Sequence, residues 1–277
     1  MKNILITGGS SFVARNLREQ LKYNFTIPTH KELDLTNTDA VNNYFQDKYF
    51  DAVIHCAIDN TDGELKAVYD SPNIKMFVNL TMQKLHYDKF INIGSGAEYN
   101  KGQPIVNVDE NFKREPKDFY GLAKYIIGKY IETADNVFNL RCFGVWGKYE
   151  EDKGRKRFIT TAIKQTLQEK PITVFKNVAF SYCYVDDLIK IIDWFINNNP
   201  RYNTYNVGGT RINLLEIANK IPNSKVKLLQ AGLKDEYTCD DSRLRKELKF
   251  KYSDFDICLK KYLVELLDRG ILDFNDI

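Results

Sequence analysis

Apolar and polar positions alternate in two rhythms along the first half of the chain. Lys2–Thr7 is a short, nearly unbroken apolar run that stops at glycines, as a strand buried on both faces does. Phe12–Lys22 then carries Val13, Leu17 and Leu21 on one stripe, the spacing of an amphipathic helix. The alternation repeats. Strands are predicted at Asn24–Pro28, Asp51–Ile58, Lys89–Ile93 and Val137–Phe143, and helices at Thr36–Phe45, Asn73–Leu85 and Tyr120–Thr133. Strands and helices in this order predict an α/β chain with a doubly wound parallel sheet. After Gly147 the rhythm loosens. GKYEEDKGRKR reads as a charged loop, Phe158–Glu169 as a helix and ITVF as a short strand. Val185–Asn197 reads as a helix returning to the main sheet, and YNVG as its last parallel strand. Residues 214–277 hold two or three helices and a strand, KVKLL. The expected division is 1–147 plus 181–207 for the sheet domain, and 148–180 plus 208–277 for a smaller C-terminal subdomain.

A length of 277 residues allows one large domain or two modest ones. Composition adds mainly exclusions. With 43% apolar and 28% charged residues the chain reads as a folded protein, and a net charge of +3 implies no strong pull on nucleic acid. Five cysteines are scattered without a C-x-x-C pair, and there is no H-E-x-x-H. That argues against a structural metal or a disulfide framework, and the odd count fits a reducing compartment. The N-terminal apolar run is too short for a signal peptide, and no later run is long enough to span a bilayer. A cytoplasmic protein without a membrane partner is expected.

The candidate chemistry lies in three residues. Ser95 follows the apolar strand FINIG, and strand ends in open α/β sheets are where ligands bind. Tyr120 and Lys124, in FYGLAK, stand one helical turn apart and share a face. A phenol has an ordinary pKa of about 10, so acting near pH 7 needs about three units, roughly 4 kcal/mol. One ammonium at about 4 Å supplies a similar amount at an effective dielectric of about 20. A second pair with the same spacing, Tyr125 and Lys129, competes for the assignment. Tyr120 is preferred because Pro116 precedes it at a helix start.

With ITGGSSFVA at the N-terminus, these motifs resemble the extended short-chain dehydrogenase/reductase superfamily, the NAD-dependent epimerase/dehydratase family. Within it the chain is most similar in type to nucleotide-sugar 4-keto reductases and GDP-fucose synthase-like enzymes. The resemblance implies a dinucleotide-binding Rossmann domain followed by a substrate-binding subdomain. It also implies that Ser95 polarises a carbonyl, Tyr120 delivers a proton, and Lys124 supports the phenol and holds the nicotinamide ribose. The family's T-G-x-x-G-x-x-G turn keeps Gly8 but has Ser11 and Ala14 at the later glycines, with Ser10, Phe12 and Val13 beside them.

An acid is expected at the end of the second strand for an NAD enzyme, and His30 and Lys31 stand there instead. That pair either accepts a 2′-phosphate or belongs to a solvated loop. NADP is the favoured cofactor, with NAD the alternative. Asp34 and Leu35 match adenine contacts. Cys56, Ala57 and Ile58, Asn73, Ile93 and Phe143 match positions flanking the cofactor. Gly96 and Ala97 replace the acid pair of the 4,6-dehydratases, and Ala97 also replaces the epimerising cysteine. Arg157 stands nearest the epimerising histidine. Ala97, Gly144, Arg157 and Arg243 are the expected substrate contacts. The implied function is NADPH-dependent reduction of a nucleotide-linked 4-keto-6-deoxy sugar by a homodimer, for deoxysugar (surface polysaccharide) biosynthesis. A 4-epimerase with tightly bound NAD and a non-catalytic dinucleotide-binding protein are the alternatives.

Overall fold

The computed structural model describes residues 1–60, 67–112, 115–150 and 157–270. Its elements run β1 (Asn3–Thr7), α1 (Phe12–Gln20), β2 (Asn24–Thr26), α2 (Thr38–Phe45), β3 (Ala52–His55), α3 (Pro72–Thr81) and β4 (Phe90–Ser95). There follow β5 (Ile105–Val108), α4 (Phe119–Ile131), β6 (Val137–Cys142), β7 (Gly144–Trp146), α5 (Phe158–Leu167), β8 (Ile172–Val174) and β9 (Val178–Tyr184). The chain continues with α6 (Val185–Asn197), β10 (Thr204–Val207), β11 (Thr210–Asn213), α7 (Leu214–Lys220), β12 (Val226–Leu228), β13 (Asp235–Cys239), α8 (Ser242–Leu248) and α9 (Phe255–Asp268). Residues 151–156 of the predicted charged loop lie outside the described residues.

Six parallel strands form the main sheet in the order β10-β6-β4-β3-β1-β2. The chain steps from β1 outward to β2, then crosses back to place β3 on the other side of β1. This reversal opens a crevice beyond the carboxyl ends of β1 and β3. One face of the sheet is covered by α1 and α6 through Val13, Leu17, Leu188, Ile192 and Phe195. The other face is covered by α2, α3 and α4 through Val41, Phe77, Leu80, Ile127 and Ile131. A separate apolar cluster joins Trp146, Ile163, Ile217 and Tyr262 of the C-terminal half.

The predicted doubly wound sheet is therefore present. Element ends move by a few residues, and β4 runs through Ser95 rather than stopping before it. A second sheet, β11-β9-β13-β5 with β7 on β9, has no counterpart among the predicted strands. Its strands carry no long apolar run, and β13 finds its partners at Ile105 and Phe180, far away in sequence. Only tertiary pairing makes them strands. No helix among the described residues is long and apolar enough to cross a membrane.

Candidate active site

The crevice at the strand reversal is a cleft of about 1040 Å³. Gly8 forms its floor with φ of +69°. A Cβ there would lie 2.5 Å from the backbone of Ala57, so only glycine lets β1 and β3 close on one another at this point. Ser11, the departure from the family turn, is the N-cap of α1: its Oγ accepts the Ala14 N–H at 3.2 Å. A serine here stabilises the helix start while Gly8, Gly9 and Ser10 line the cleft. Phe12 and Val13 turn into the core instead.

His30, Asp34 and Leu35 border the far end of the cleft, and Ala57 and Ile58 its near end. Lys31 is exposed and outside the lining. The cations that do line the cleft besides His30 are Arg15 and Arg18 from α1, one turn apart, and Arg15 also stacks on the Tyr149 ring at 3.7 Å. Glu32, the first acid after β2, is folded back onto Thr29, accepting its N–H at 2.7 Å and its hydroxyl at 2.8 Å. Asp34 likewise accepts the N–H and hydroxyl of Thr36, which hold its carboxyl below the usual range. A dinucleotide fits this cradle: the Gly8 floor, the first turn of α1 and two arginines suit a diphosphate and a further anionic group. Asn73 secures the rim, exchanging hydrogen bonds with both the N–H and the C=O of Asp59. Cys56 is buried behind the lining, and Ile93 packs on the core.

Ser95, Tyr120 and Lys124 lie outside the cleft lining. Ser95 ends β4 and caps a single 3-10 turn, Gly96–Glu98, its Oγ accepting the Ala97 N–H at 3.1 Å. Asp118 caps α4 by accepting the Gly121 N–H at 2.8 Å, which puts Tyr120 in the first turn. A Cβ on Gly121 would lie 2.7 Å from the Ala97 carbonyl, so this glycine lets α4 rest directly on the serine turn. Lys124 is only 3% exposed and makes no hydrogen bond to a described residue. Its ammonium lies 6.0 Å from the centre of the Tyr120 ring, and Lys101 lies 5.7 Å from that ring. Lys124 also faces His55, whose Nδ1 pairs with Thr7 Oγ1 at 2.7 Å. Burial, and then the Lys124 charge, brings the His55 pKa down to about 3, so the imidazole is neutral. In the competing pair Lys129 lies 5.4 Å from the centre of the Tyr125 ring and is bound to Glu132 at 2.8 Å on a partly exposed face.

Behind the serine lies a buried ionic network that sequence spacing did not reveal. Glu98 is 2% exposed and accepts from Arg141 Nε at 2.5 Å, from Asn139 Nδ2 at 3.0 Å and from the Ser95 N–H at 3.4 Å. Its carboxylate is held inward, against Arg141 and Asn139. Ala97 is buried under α4. Gly144 packs against the Ser181 carbonyl and the Tyr182 ring. Arg157 pairs with Glu150 at 3.1 Å and donates to the Val145 carbonyl. Arg243 pairs with Glu110 at 3.4 Å, donates to Thr204 and stacks on Tyr202. Both guanidinium groups are thus engaged within the chain. Phe143 stacks on Tyr237 with ring centres 4.9 Å apart. Tyr237 carries no motif; only the second sheet brings it near Ser95. Arg15 and Arg18 had a usable signal, their shared helix face.

Comparison with known proteins agrees with this geometry. The profile of the NAD dependent epimerase/dehydratase family matches residues 4–208. GDP-L-colitose synthase of Yersinia pseudotuberculosis is 26% identical over 226 residues, 70% of this chain and 72% of its own. The structure of dTDP-4-dehydrorhamnose reductase from Bacillus anthracis with NADP superposes with a TM-score of 0.78 at 24% identity, over 95% of this chain and 98% of that one. UDP-glucose 4-epimerase from Thermotoga maritima superposes with a TM-score of 0.80 at 17% identity, over 98% of this chain and all (100%) of that one. These structural likenesses establish the fold, and the profile match over most of the chain establishes the family. The chain belongs to the NAD-dependent epimerase/dehydratase family, as an NAD(P)-dependent enzyme of the extended short-chain dehydrogenase/reductase type.

Proposed function

We propose that this enzyme reduces the 4-keto group of a nucleotide-linked 4-keto-6-deoxy sugar, with NADPH as reductant. The observation that carries the reading is the Ser95–Tyr120–Lys124 set beside a turn whose acid–base positions are Gly96 and Ala97. Arg15 and Arg18 in the cleft lining, with Glu32 folded back onto Thr29, support NADP over NAD. The relatives that make GDP-L-colitose or reduce dTDP-4-dehydrorhamnose support the substrate class.

The cleft residues would hold the dinucleotide, which when bound supplies the hydride. Ser95 donates a hydrogen bond to the carbonyl oxygen, drawing charge onto that atom. Tyr120 gives that oxygen its proton as it becomes an alkoxide. Lys124, buried and without another hydrogen-bonded partner among the described residues, compensates the charge left on the phenol. Neutral His55 adds no competing positive charge beneath it.

The test is NADPH oxidation with 4-keto-6-deoxyhexoses linked to GDP, dTDP, CDP and UDP. No oxidation with any of the four refutes the reading, and retention of bound cofactor without net redox change would favour 4-epimerisation. Tyr120→Phe is expected to cut turnover by about two to four orders of magnitude with cofactor affinity nearly unchanged.

A further inference from the structure

We propose that Tyr149 is a positioning residue of the cofactor cleft, its ring holding the Arg15 guanidinium for the extra phosphate of NADPH. The inference rests on the NADP reading of the cleft given above, and it adds a residue that lies outside the lining. Arg15 lines the cleft from α1. Its Cζ lies 3.7 Å from the centre of the Tyr149 ring, so the guanidinium rests on the aromatic face. Tyr149 comes from a distant part of the chain, the turn that follows β7. The Glu150 N–H donates to the Gly147 carbonyl at 3.1 Å and closes a four-residue turn with Tyr149 in its third place. There Tyr149 has φ of +74°, a left-handed conformation that such turns ordinarily give to glycine or asparagine.

A bulky residue stays in that conformation only where its surroundings over-determine it. Here α1 does much of this. Buried Asn16 donates from Nδ2 to the Lys148 carbonyl at 2.8 Å, which ties the turn to the helix that carries Arg15. The Tyr149 hydroxyl donates to Glu19 Oε2 at 2.9 Å, and Lys148 pairs with the same carboxylate. Arg269, just past the end of α9, also approaches the ring, its Cζ 4.6 Å from the centre. The ring is thus fixed against α1 within the chain itself, and Arg15 lies on it. A long, flexible side chain loses rotamer freedom when it binds an anion, and a ring that already holds it removes part of that cost. Glycine or asparagine would relieve the strain at position 149, but neither offers a ring face. The strained backbone is therefore kept for the ring.

The test is titration calorimetry of the full chain with NADPH and with NADH, without sugar. Tyr149→Leu is expected to weaken NADPH about fivefold, the upper end for a partly exposed cation–π contact, and to leave the NADH constant at its wild-type value. Tyr149→Phe keeps the ring and should keep wild-type NADPH affinity. Tyr149→Asn, which suits the left-handed turn position, should show the same selective loss as Tyr149→Leu, so that the effect follows the ring rather than the fold. In an Arg15→Ala background Tyr149→Leu produces no further loss, because the ring acts through Arg15. An unchanged NADPH constant in Tyr149→Leu and Tyr149→Asn, an equal loss for NADH, or a loss that persists without Arg15 overturns the proposal. If the wild type binds NADPH no more tightly than NADH, the NADP reading and the proposal fail together. If the selective loss appears while none of the four nucleotide-linked 4-keto sugars oxidises NADPH, the proposal stands and the sugar assignment alone fails.

Discussion

Glu98→Gln tests whether the network behind the serine turn holds the site. The carboxylate is buried, and its loss leaves the Arg141 guanidinium, 4% exposed, with its main counter-charge removed. Breaking a buried pair from one side costs about 3–5 kcal/mol, because an uncompensated charge stays behind. Arg141 retains Glu132 at 3.5 Å, the Tyr99 hydroxyl at 3.2 Å and the Glu110 carbonyl at 3.2 Å. Those contacts place the loss at the lower end, about 3 kcal/mol. For a chain of this size that corresponds to a drop of roughly 6 °C in melting temperature. The assay is thermal unfolding by circular dichroism at pH 7, on Glu98→Gln, Arg141→Met and the double variant. The double variant removes both charges and should recover part of the loss. Either single variant within about 1 °C of wild type, or losses that simply add in the double variant, would refute the reasoning. Turnover should fall in Glu98→Gln as well, since the same carboxylate binds the Ser95 N–H.

Other expectations follow from the same geometry. His55 is held neutral in the folded state, its pKa lowered to about 3 against about 6.5 unfolded, so its contribution is complete above pH 6.5 and is lost progressively down to pH 3. Wild type should therefore lose about 2 kcal/mol from this group by pH 5, and His55→Gln should show a shallower fall in denaturant midpoint over that range. Arg18→Ala should raise KM for NADPH about tenfold or more by removing a charge-assisted contact to the 2′-phosphate. Unchanged NADPH and NADH constants would dismiss Arg18 from cofactor selection. Val78 on α3, Met82 just past its end, and Ile126 and Tyr130 on α4 expose apolar surface, and substitution there tests the expected homodimer. Met82→Glu with Ile126→Glu should then give a monomer by sedimentation, and a wild-type enzyme already monomeric at micromolar concentration would rule this out.

The sequence by itself determined the alternation of strand and helix, and it carried the expectation of a phosphate turn at Gly8 and of a Ser95–Tyr120–Lys124 set. These features are local: buried parallel strands are apolar runs, helix faces repeat every turn, and the Tyr120–Lys124 spacing lies within one helix. It also gave the replacement of the acid pair by Gly96 and Ala97, since a missing side chain is visible without coordinates. Tertiary structure decided the rest. Which cations line the cleft depends on how α1 packs on the sheet, so Arg15 and Arg18 emerged there while Lys31 turned outward. Ser11 became a helix cap only once the start of α1 was placed. Glu98 met Arg141, and Tyr237 met Gly96, through pairings between elements 43 residues apart in the first case and far more distant in the second. Such contacts leave no periodic trace, because chain closure over long separations is set by the whole core rather than by neighbouring residues.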